Sequence, residues 1–211
     1  MKQNILVIGQ GGREHAIAWK ISKSPKVKKV FVCPGNAGTA LENNIENIDI
    51  DISDINSLVE FAQNNNILLT IIGPEGPLVE GIVNKFSEHG LKAFGPTKEH
   101  AILEGSKVFS KEFMENYDIP TSDYEMFSNK DEAKSYLISK KHPIVIKADG
   151  LAAGKGVVVS SSLEESNDAI DKLLSAGHSD FIVIEEFLNG QELSAIYVCN
   201  YKGCTYEIGL P

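Results

Sequence analysis

The chain has 211 residues and carries 20 Lys and Arg against 29 Asp and Glu, a formal net charge of −9. An acidic chain without a dense basic cluster is a poor nucleic-acid binder, and no apolar run approaches membrane-spanning length. The chain starts without the layout of a signal peptide, and its three cysteines have no metal-ligand spacing. We therefore expect a cytoplasmic protein with reduced thiols and without nucleic-acid or membrane partners. The five histidines are scattered, so no zinc site is predicted.

The first half of the chain alternates between predicted strands and helices. Apolar runs predict strands at residues 4–8, 29–33, 67–72 and 92–94. Helices are predicted at residues 13–19, from a cap at Ser53 to about residue 64, and at about 78–89. Loops at residues 9–12, 34–39 and 73–77 follow the strands. This alternation predicts a parallel, doubly wound sheet whose ligand-binding edge is formed by those loops.

The loop at residues 9–12 begins like a dinucleotide-binding turn but departs from it. Glu14 occupies the third glycine position, and the second predicted strand ends in Cys33-Pro34, with no carboxylate placed for a ribose hydroxyl. A nicotinamide cofactor is therefore disfavoured. An N–H-rich turn at the start of a helix still suits a phosphate or carboxylate, although each loop taken singly is also compatible with an ordinary connector.

The composition changes after Pro96, and the second half predicts a smaller α+β unit. Short helices are predicted at residues 99–103 and 106–117, and Lys107 near the start of the second opposes the helix dipole unless an anion binds there. Further on, the sequence predicts strands at 124–127, 144–147, 156–160 and 181–184, helices at 130–139 and 163–176, and a hairpin of strands 192–200 and 204–208. Adjacent strands joined by a loop alone imply antiparallel pairing.

The stretch I-V-I-K-A-D-G-L-A-A-G-K-G-V-V-V, residues 144–159, joins two β-branched runs through a loop of small residues. Its glycines are Gly150, Gly154 and Gly156. They allow backbone N–H groups to face an anion, and Lys147 and Lys155 supply ammonium groups near it. The pattern suits a nucleoside triphosphate, and a mobile surface hairpin with solvated lysines is the alternative. A Walker loop does not fit, because the glycine spacing is one residue short, Gly156 replaces Ser or Thr, and a strand follows.

Seven stretches, in order along most of the chain, resemble one enzyme family. They are G-Q-G-G-R-E-H (9–15), P-G-N-A-G-T (34–39), G-P-E-G-P-L (73–78), F-G-P-T (94–97), L-E-G-S-K (103–107), I-V-I-K-A-D-G-L-A-A-G-K-G-V (144–157) and I-E-E-F-L (184–188). Together they resemble the phosphoribosylamine–glycine ligases, enzymes of purine biosynthesis in the ATP-grasp superfamily. The ordered set is far more diagnostic than any one glycine loop.

The resemblance implies an α/β fold in two parts. Residues 1–102 would form a Rossmann-like parallel-sheet domain that precedes the ATP-grasp fold. Residues 103–211 would form an incomplete α+β ATP-grasp domain that includes a lobe at 121–190. The family continues well past Pro211, so the resemblance implies an N-terminal portion of the enzyme that has no ligase turnover alone.

The resemblance also implies the site residues, of which Lys107 and Lys147 would hold the phosphates of ATP beneath a flexible flap, residues 149–156, that excludes water. The implied ATP-binding residues are Lys107, Lys147, Gly150, Gly154, Lys155, Gly156, Glu185, Glu186, Phe187, Leu188 and Glu192. Among them, backbone groups of residues 186–188 would contact adenine and Glu192 would face the ribose hydroxyls. The implied residues for 5-phosphoribosylamine are Gly11, Gly12, Asn36, Gly38 and Glu75. No catalytic residue is assigned.

The implied reaction uses ATP and Mg²⁺, with the metal ligands expected beyond Pro211. Glycine would take the γ-phosphoryl group to give glycyl phosphate and ADP, and the amine of 5-phosphoribosylamine would then displace phosphate to form glycinamide ribonucleotide. Such chemistry depends mainly on positioning and charge neutralisation. Two alternatives stay open, which are another ATP-grasp carboxylate–amine ligase and a non-catalytic nucleotide-binding module. A nicotinamide dehydrogenase is the third and weakest.

Overall fold

The computed structural model describes residues 2–152, 156–175, 179–200, 202–203 and 205–209. Within them the first half contains five strands, which are β1 (Gln3–Gly9), β2 (Val27–Pro34), β3 (Ile45–Asn47), β4 (Ile67–Ile72) and β5 (Ala93–Phe94). They form one sheet in the order β3-β2-β1-β4-β5, and every pairing is parallel. The carboxyl ends of the strands, and therefore the loops that follow them, meet at one edge.

Helices cover both faces of this sheet. They are α1 (Gly12–Ser22), α2 (Ala37–Ala40), α3 (Ile55–Asn64), α4 (Glu75–Val79) and α5 (Ile82–Glu88). Leu6 of β1 packs in one apolar cluster with Leu58 of α3 and Phe86 of α5, whereas Val7 packs in a second cluster with Ala18 of α1. Because successive strand residues face opposite sides, the two clusters lie on the two faces of the sheet. The prediction of a doubly wound parallel sheet is confirmed.

The predicted N-cap of the third helix is wrong by one residue. Asp54 caps α3, and its carboxylate accepts a hydrogen bond from the Ser57 N–H at 3.0 Å. The Ser53 hydroxyl instead donates to the carboxylate of Asp51 at 2.8 Å. Both residue types favour the cap position, so sequence preference alone does not separate them.

Two other boundaries differ from the prediction because of local backbone geometry. The single helix predicted at residues 78–89 is two helices, α4 and α5, because Gly81 has a φ of 91° and interrupts the helical path. The loop predicted at residues 34–39 contains the start of α2, which Asn36 caps. Strand β3 was not predicted, since three residues are too few for an alternating pattern to be read.

Two helices connect the parallel sheet to the second sheet, α6 (Lys98–Gly105) and α7 (Lys107–Asn116). The second sheet has strands β6 (Tyr124–Phe127), β7 (Ile144–Ala148), β8 (Val157–Ser160) and β9 (Ile182–Glu186), with helices α8 (Lys130–Leu137) and α9 (Leu163–Ser175). Its order is β6-β9-β7-β8 and every pairing is antiparallel. The predicted α+β unit and the antiparallel pairing across the glycine loop are therefore confirmed.

The strand predicted at residues 181–184 instead covers Ile182–Glu186, so Glu185 and Glu186 belong to the sheet. A separate hairpin pairs β10 (Ile196–Cys199) with β11 (Thr205–Gly209), which is shorter at its start than predicted because residues 192–195 lie outside any strand. Cys33 and Cys199 are free thiols, while Cys204 lies outside the described residues. Among the described helices, none is long and apolar enough to cross a membrane.

The two candidate caps of α3 give a direct test of the helix boundary. We expect Asp54→Ala to lower the midpoint of thermal unfolding by a few degrees, because the Ser57 N–H loses its acceptor. Ser53→Ala is the matched control and should lower the midpoint less, because it removes only an exposed hydrogen bond to Asp51. Circular dichroism melts of the two variants beside the wild type make the comparison, and equal losses would contradict the assignment.

Candidate functional site

A buried carboxylate organises the loops at the ligand-binding edge of the parallel sheet. The side chain of Glu14 accepts hydrogen bonds from the Gly11 N–H and from Arg13 Nε, each at 2.8 Å, and Glu14 is 5% exposed. A Cβ added at Gly9 or Gly73 would clash with this side chain. Glu14 therefore fills the space between the first and fourth strand ends, where a dinucleotide fold would leave room for a pyrophosphate.

The second loop is tied to the first by Asn36. Its Oδ1 accepts hydrogen bonds from the N–H groups of Gly38 (2.8 Å) and Thr39 (3.0 Å), and its Nδ2 donates to the Gln10 carbonyl at 2.8 Å. A Cβ added at Gly38 would meet the His15 ring at 2.6 Å. The structure thus brings Gly11, Asn36 and Gly38 to the same edge of the sheet.

A cavity of about 300 Å³ opens beside these loops. It is lined by Arg13, Gly73, Glu75, Leu78, Pro96, Ala101 and Glu104. Of the five residues predicted for 5-phosphoribosylamine, Glu75 lines this cavity, while Gly12 faces open space. Arg13, which the sequence did not single out, extends beside it and donates to the Gly73 carbonyl.

A second cavity of about 340 Å³ lies between α7 and the antiparallel sheet. Its lining residues are Glu75, Leu103, Glu104, Lys107, Ser110, Lys111, Met114, Lys147, Gly150, Leu151, Ala152, Gly156, Val157 and Glu185. Lys107 and Lys147 therefore reach one cavity from different elements, α7 and β7. Glu75 and Glu104 line both cavities, so the two spaces adjoin.

The start of α7 is held by Asp149, at the base of the glycine loop. Its carboxylate accepts hydrogen bonds from the backbone N–H groups of Lys107 (2.6 Å) and Val108 (3.1 Å) and from the Ser106 hydroxyl (3.1 Å). The ammonium of Lys107 donates to the Gly150 carbonyl at 2.7 Å. The anion at this helix N-terminus is thus the protein's own carboxylate, and it fixes the glycine loop to the helix that carries Lys107.

Glu185 binds the second lysine of the cavity. Its Oε1 lies 2.8 Å from Lys147 Nζ, and its Oε2 accepts from the Ser122 hydroxyl at 2.8 Å and lies 3.2 Å from Lys111 Nζ. Burial by itself would raise the pKa of Glu185, but the hydrogen bonds from Lys147 and Ser122, with the charges of the two lysines, hold that pKa below its ordinary value. The group is therefore a carboxylate at neutral pH.

Some of the other residues predicted for ATP line this cavity and others do not. Gly150 and Gly156 line it, and Glu186 accepts from the Asp123 N–H at 3.0 Å on the exposed side of β9. Phe187, Leu188 and Glu192 are exposed, and they are not among the described residues that line the cavity. Gly154 and Lys155 lie outside the described residues. Asp149 was predicted only as the start of the flap, and Lys111 and Ser122 were not predicted, because no local pattern reveals contacts made across 11 to 63 positions of sequence.

The described residues contain no cluster of three or more His, Cys, Asp or Glu side chains suited to a metal ion. They therefore do not fit a magnesium site by themselves. The lysines, the glycine backbone and the neighbouring carboxylate of the second cavity do fit the phosphate groups of a nucleotide, since Lys107 and Lys147 both line the same space.

A parallel doubly wound unit followed by an antiparallel sheet, with a glycine loop beside a lysine-lined cavity, defines an ATP-grasp fold. The sequence profile of the phosphoribosylglycinamide synthetase N domain matches residues 3–104, and that of its ATP-grasp (A) domain matches residues 105–206. The chain belongs to the phosphoribosylglycinamide synthetase family. The resemblance found in the sequence is confirmed.

Individual relatives agree with this placement. The phosphoribosylamine–glycine ligase of Haemophilus influenzae is 54% identical over 203 residues, which are 94% of this chain and 47% of that protein. The crystal structure of phosphoribosylamine–glycine ligase from Thermotoga maritima superposes with a TM-score of 0.77 at 33% identity, covering 98% of this chain and 49% of that one. The chain thus spans about half the length of these relatives.

The biotin carboxylase domain of Hydrogenobacter thermophilus 2-oxoglutarate carboxylase shares the fold. Its TM-score is 0.74 at 18% identity, with coverage of all of this chain and 50% of that one. That structure was determined in complex with MgADP, ADP and bicarbonate. At this identity the likeness concerns the fold alone.

The buried carboxylate of the first loop makes stability depend on pH. Burial by itself would raise the pKa of Glu14, but the hydrogen bonds from Arg13 and Gly11 lower it below 4.5. A depressed pKa contributes stability that is present above 4.5 and is lost as pH falls through the folded-state pKa. We therefore expect the wild type to exceed Glu14→Gln in stability at neutral pH, and the difference to shrink as pH falls below 4.5.

Urea unfolding at a series of pH values measures this difference. Glu60→Gln, at an exposed position of α3, is the matched control and should follow the wild type throughout. A difference between wild type and Glu14→Gln that stays constant as pH falls would show that the Glu14 charge contributes nothing.

Proposed function

We propose that this chain binds ATP in the 340 Å³ cavity and forms the nucleotide-binding part of a ligase that joins glycine to 5-phosphoribosylamine. The products would be glycinamide ribonucleotide, ADP and phosphate, in purine biosynthesis in the cytoplasm. The observation that carries the proposal is that Lys107 and Lys147 converge on one cavity beside the glycine loop. We also propose a domain boundary between residues 102 and 103.

The relatives support the choice of reaction. Relatives in Haemophilus influenzae and Escherichia coli that match nearly the whole of this chain at more than half identity are named phosphoribosylamine–glycine ligases. The Hydrogenobacter thermophilus domain, which has the same fold, was determined with MgADP, so the fold is compatible with a nucleotide ligand. Because the chain spans 47% of the Haemophilus influenzae ligase, we expect turnover only when the remaining half of the ligase is present.

Lys107 would exchange a protein acceptor for a phosphate oxygen, and Lys147 would bind a phosphate oxygen in addition to the acceptor that it already has. Lys107 Nζ donates to the Gly150 carbonyl at 2.7 Å, so a phosphate oxygen would compete with that carbonyl and free the loop. Lys147 is held by Glu185, lines the cavity with its side chain 28% exposed, and has donors left for an anion. In this account the flap, residues 149–156 with Gly154 and Lys155, closes over the phosphates and excludes water.

The remaining nucleotide contacts would be made by the end of β9 and the segment after it. Backbone groups of Glu186, Phe187 and Leu188 would contact the adenine edge, and Glu192 would bind the ribose hydroxyls. These side chains are exposed, so they are accessible to a ligand that enters from solvent. ATP supplies a phosphoryl group that activates a carboxylate, while the residues of this chain bind, orient and shield it.

The amine substrate would bind at the edge of the parallel sheet. Gly11, Gly12, Asn36 and Gly38 would bind 5-phosphoribosylamine with Glu75, and Glu75 lines both cavities. A substrate in the first cavity would therefore lie next to the phosphates in the second. Magnesium would act with ATP, and none of its ligands is assigned to the described residues.

The phosphate role of the lysines is tested by ADP binding. We expect Lys107→Met and Lys147→Met each to weaken ADP binding by about tenfold or more, because each removes a charged hydrogen-bond donor from the cavity. Lys134→Met, which breaks an exposed ion pair with Asp171, is the matched control and should bind as the wild type does. Isothermal titration calorimetry gives the dissociation constants.

Failure of the wild type to bind ADP, or equal affinity in the two cavity variants, would overturn the nucleotide assignment. The substrates are tested separately, by phosphate release from ATP in the complete ligase. Release should require glycine and 5-phosphoribosylamine together, and a preference for another acid or amine would identify a different ATP-grasp ligase.

A further inference from the structure

Lys111 is a buried cation whose donors all point at the protein. It is 5% exposed, and its Nζ lies 2.8 Å from Thr121 Oγ1, 2.7 Å from Ser122 Oγ and 3.2 Å from the Ser122 carbonyl. The carboxylate of Glu185 is a further partner at 3.2 Å. A lysine ammonium has three N–H groups, so these acceptors already use them all. Although Lys111 lines the cavity, it has no donor left for a ligand.

The two oxygens of Glu185 are divided between two sides. Oε2 takes the bonds from Ser122 and Lys111, which leaves Oε1 to Lys147. In the pairing of β7 with β9, Glu185 lies opposite Val145, so Lys147, two residues further along β7, is on the same face of the sheet. The contacts of Ser122 and Lys111 at Oε2 thus set the direction of Oε1, and with it the position of the Lys147 ammonium.

The charges of Lys111, Lys147 and Glu185 support the same role for Lys111. Lys147 and Glu185 taken alone form a pair whose formal charges cancel. With Lys111 the group of three carries one positive charge at neutral pH. Lys111 therefore supplies the second positive partner that a buried carboxylate needs.

We propose that Lys111 is a positioning residue for nucleotide phosphates. It holds Glu185 so that Glu185 holds Lys147 in the cavity. The proposal rests on the function proposed above, in which Lys147 binds phosphate. It goes beyond that function because it assigns a role to a lysine that does not contact the nucleotide.

The first experiment measures the position of Lys147 without any nucleotide. Acetic anhydride labelling, read by mass spectrometry, reports how accessible the Lys147 ammonium is. We expect Lys111→Met and Glu185→Gln each to increase labelling of Lys147 several-fold, because its ion pair is loosened or removed. Lys134→Met should leave it unchanged. Lys111→Gln is the second variant if Lys111→Met does not fold, and circular dichroism verifies that each labelled variant is folded.

The second experiment separates an indirect role from direct contact. ADP dissociation constants are measured for the wild type, Lys111→Met, Glu185→Gln and the double variant. We expect Lys111→Met to weaken binding by about threefold to tenfold in the wild-type background. In the Glu185→Gln background, the same substitution should change the affinity by less than about twofold, because the carboxylate that transmits its effect is gone.

Each outcome decides something different. Equal effects of Lys111→Met in both backgrounds would mean that Lys111 contacts the nucleotide, and the proposal would be wrong. Unchanged labelling and unchanged ADP affinity in Lys111→Met, with affinity lost in Lys147→Met, would also refute it and leave the proposed function intact. If the wild type does not bind ADP, the proposed function fails, and the labelling result alone still decides whether Lys111 positions Lys147.

Discussion

The candidate nucleotide cavity depends on one buried carboxylate. Glu185 accepts from Lys147 of β7 and Ser122 ahead of β6 and pairs with Lys111 of α7, so three segments that are distant from it in sequence meet at its two oxygens. Removing either lysine leaves a buried charge with less compensation, which costs about 3–5 kcal/mol in typical buried pairs. The geometry of the cavity and the stability of the sheet are therefore set by the same contacts.

The parallel sheet uses the same physical device at its own loops. Glu14 is buried between two strand ends, and its hydrogen bonds from Gly11 and Arg13 fix the turn that follows β1. In both halves a carboxylate is shielded from solvent and satisfied by hydrogen-bond donors, which links the segments that carry those donors. Glu75 lines the cavities of both halves, so the two arrangements adjoin.

The sequence predicted the parts of the fold that depend on local patterns. The strand at residues 67–72 was predicted with its observed ends, because a run rich in β-branched residues favours a strand and the turn residues on either side end it. The break at Gly81 and the cap at Asp54 were missed, since both depend on backbone angles that neighbouring residue types do not determine. Lys111 was missed for another reason. Its partner Glu185 is more than seventy positions away, and only the folded sheet brings them together.

The most direct test of this account is a crystal structure of the chain grown with ADP. We expect the phosphate oxygens to lie within hydrogen-bond distance of Lys107 and Lys147, with Glu185 still bound to Lys147 and the Gly150 carbonyl released from Lys107. A nucleotide bound elsewhere, with both ammonium groups still on their present protein partners, would contradict it.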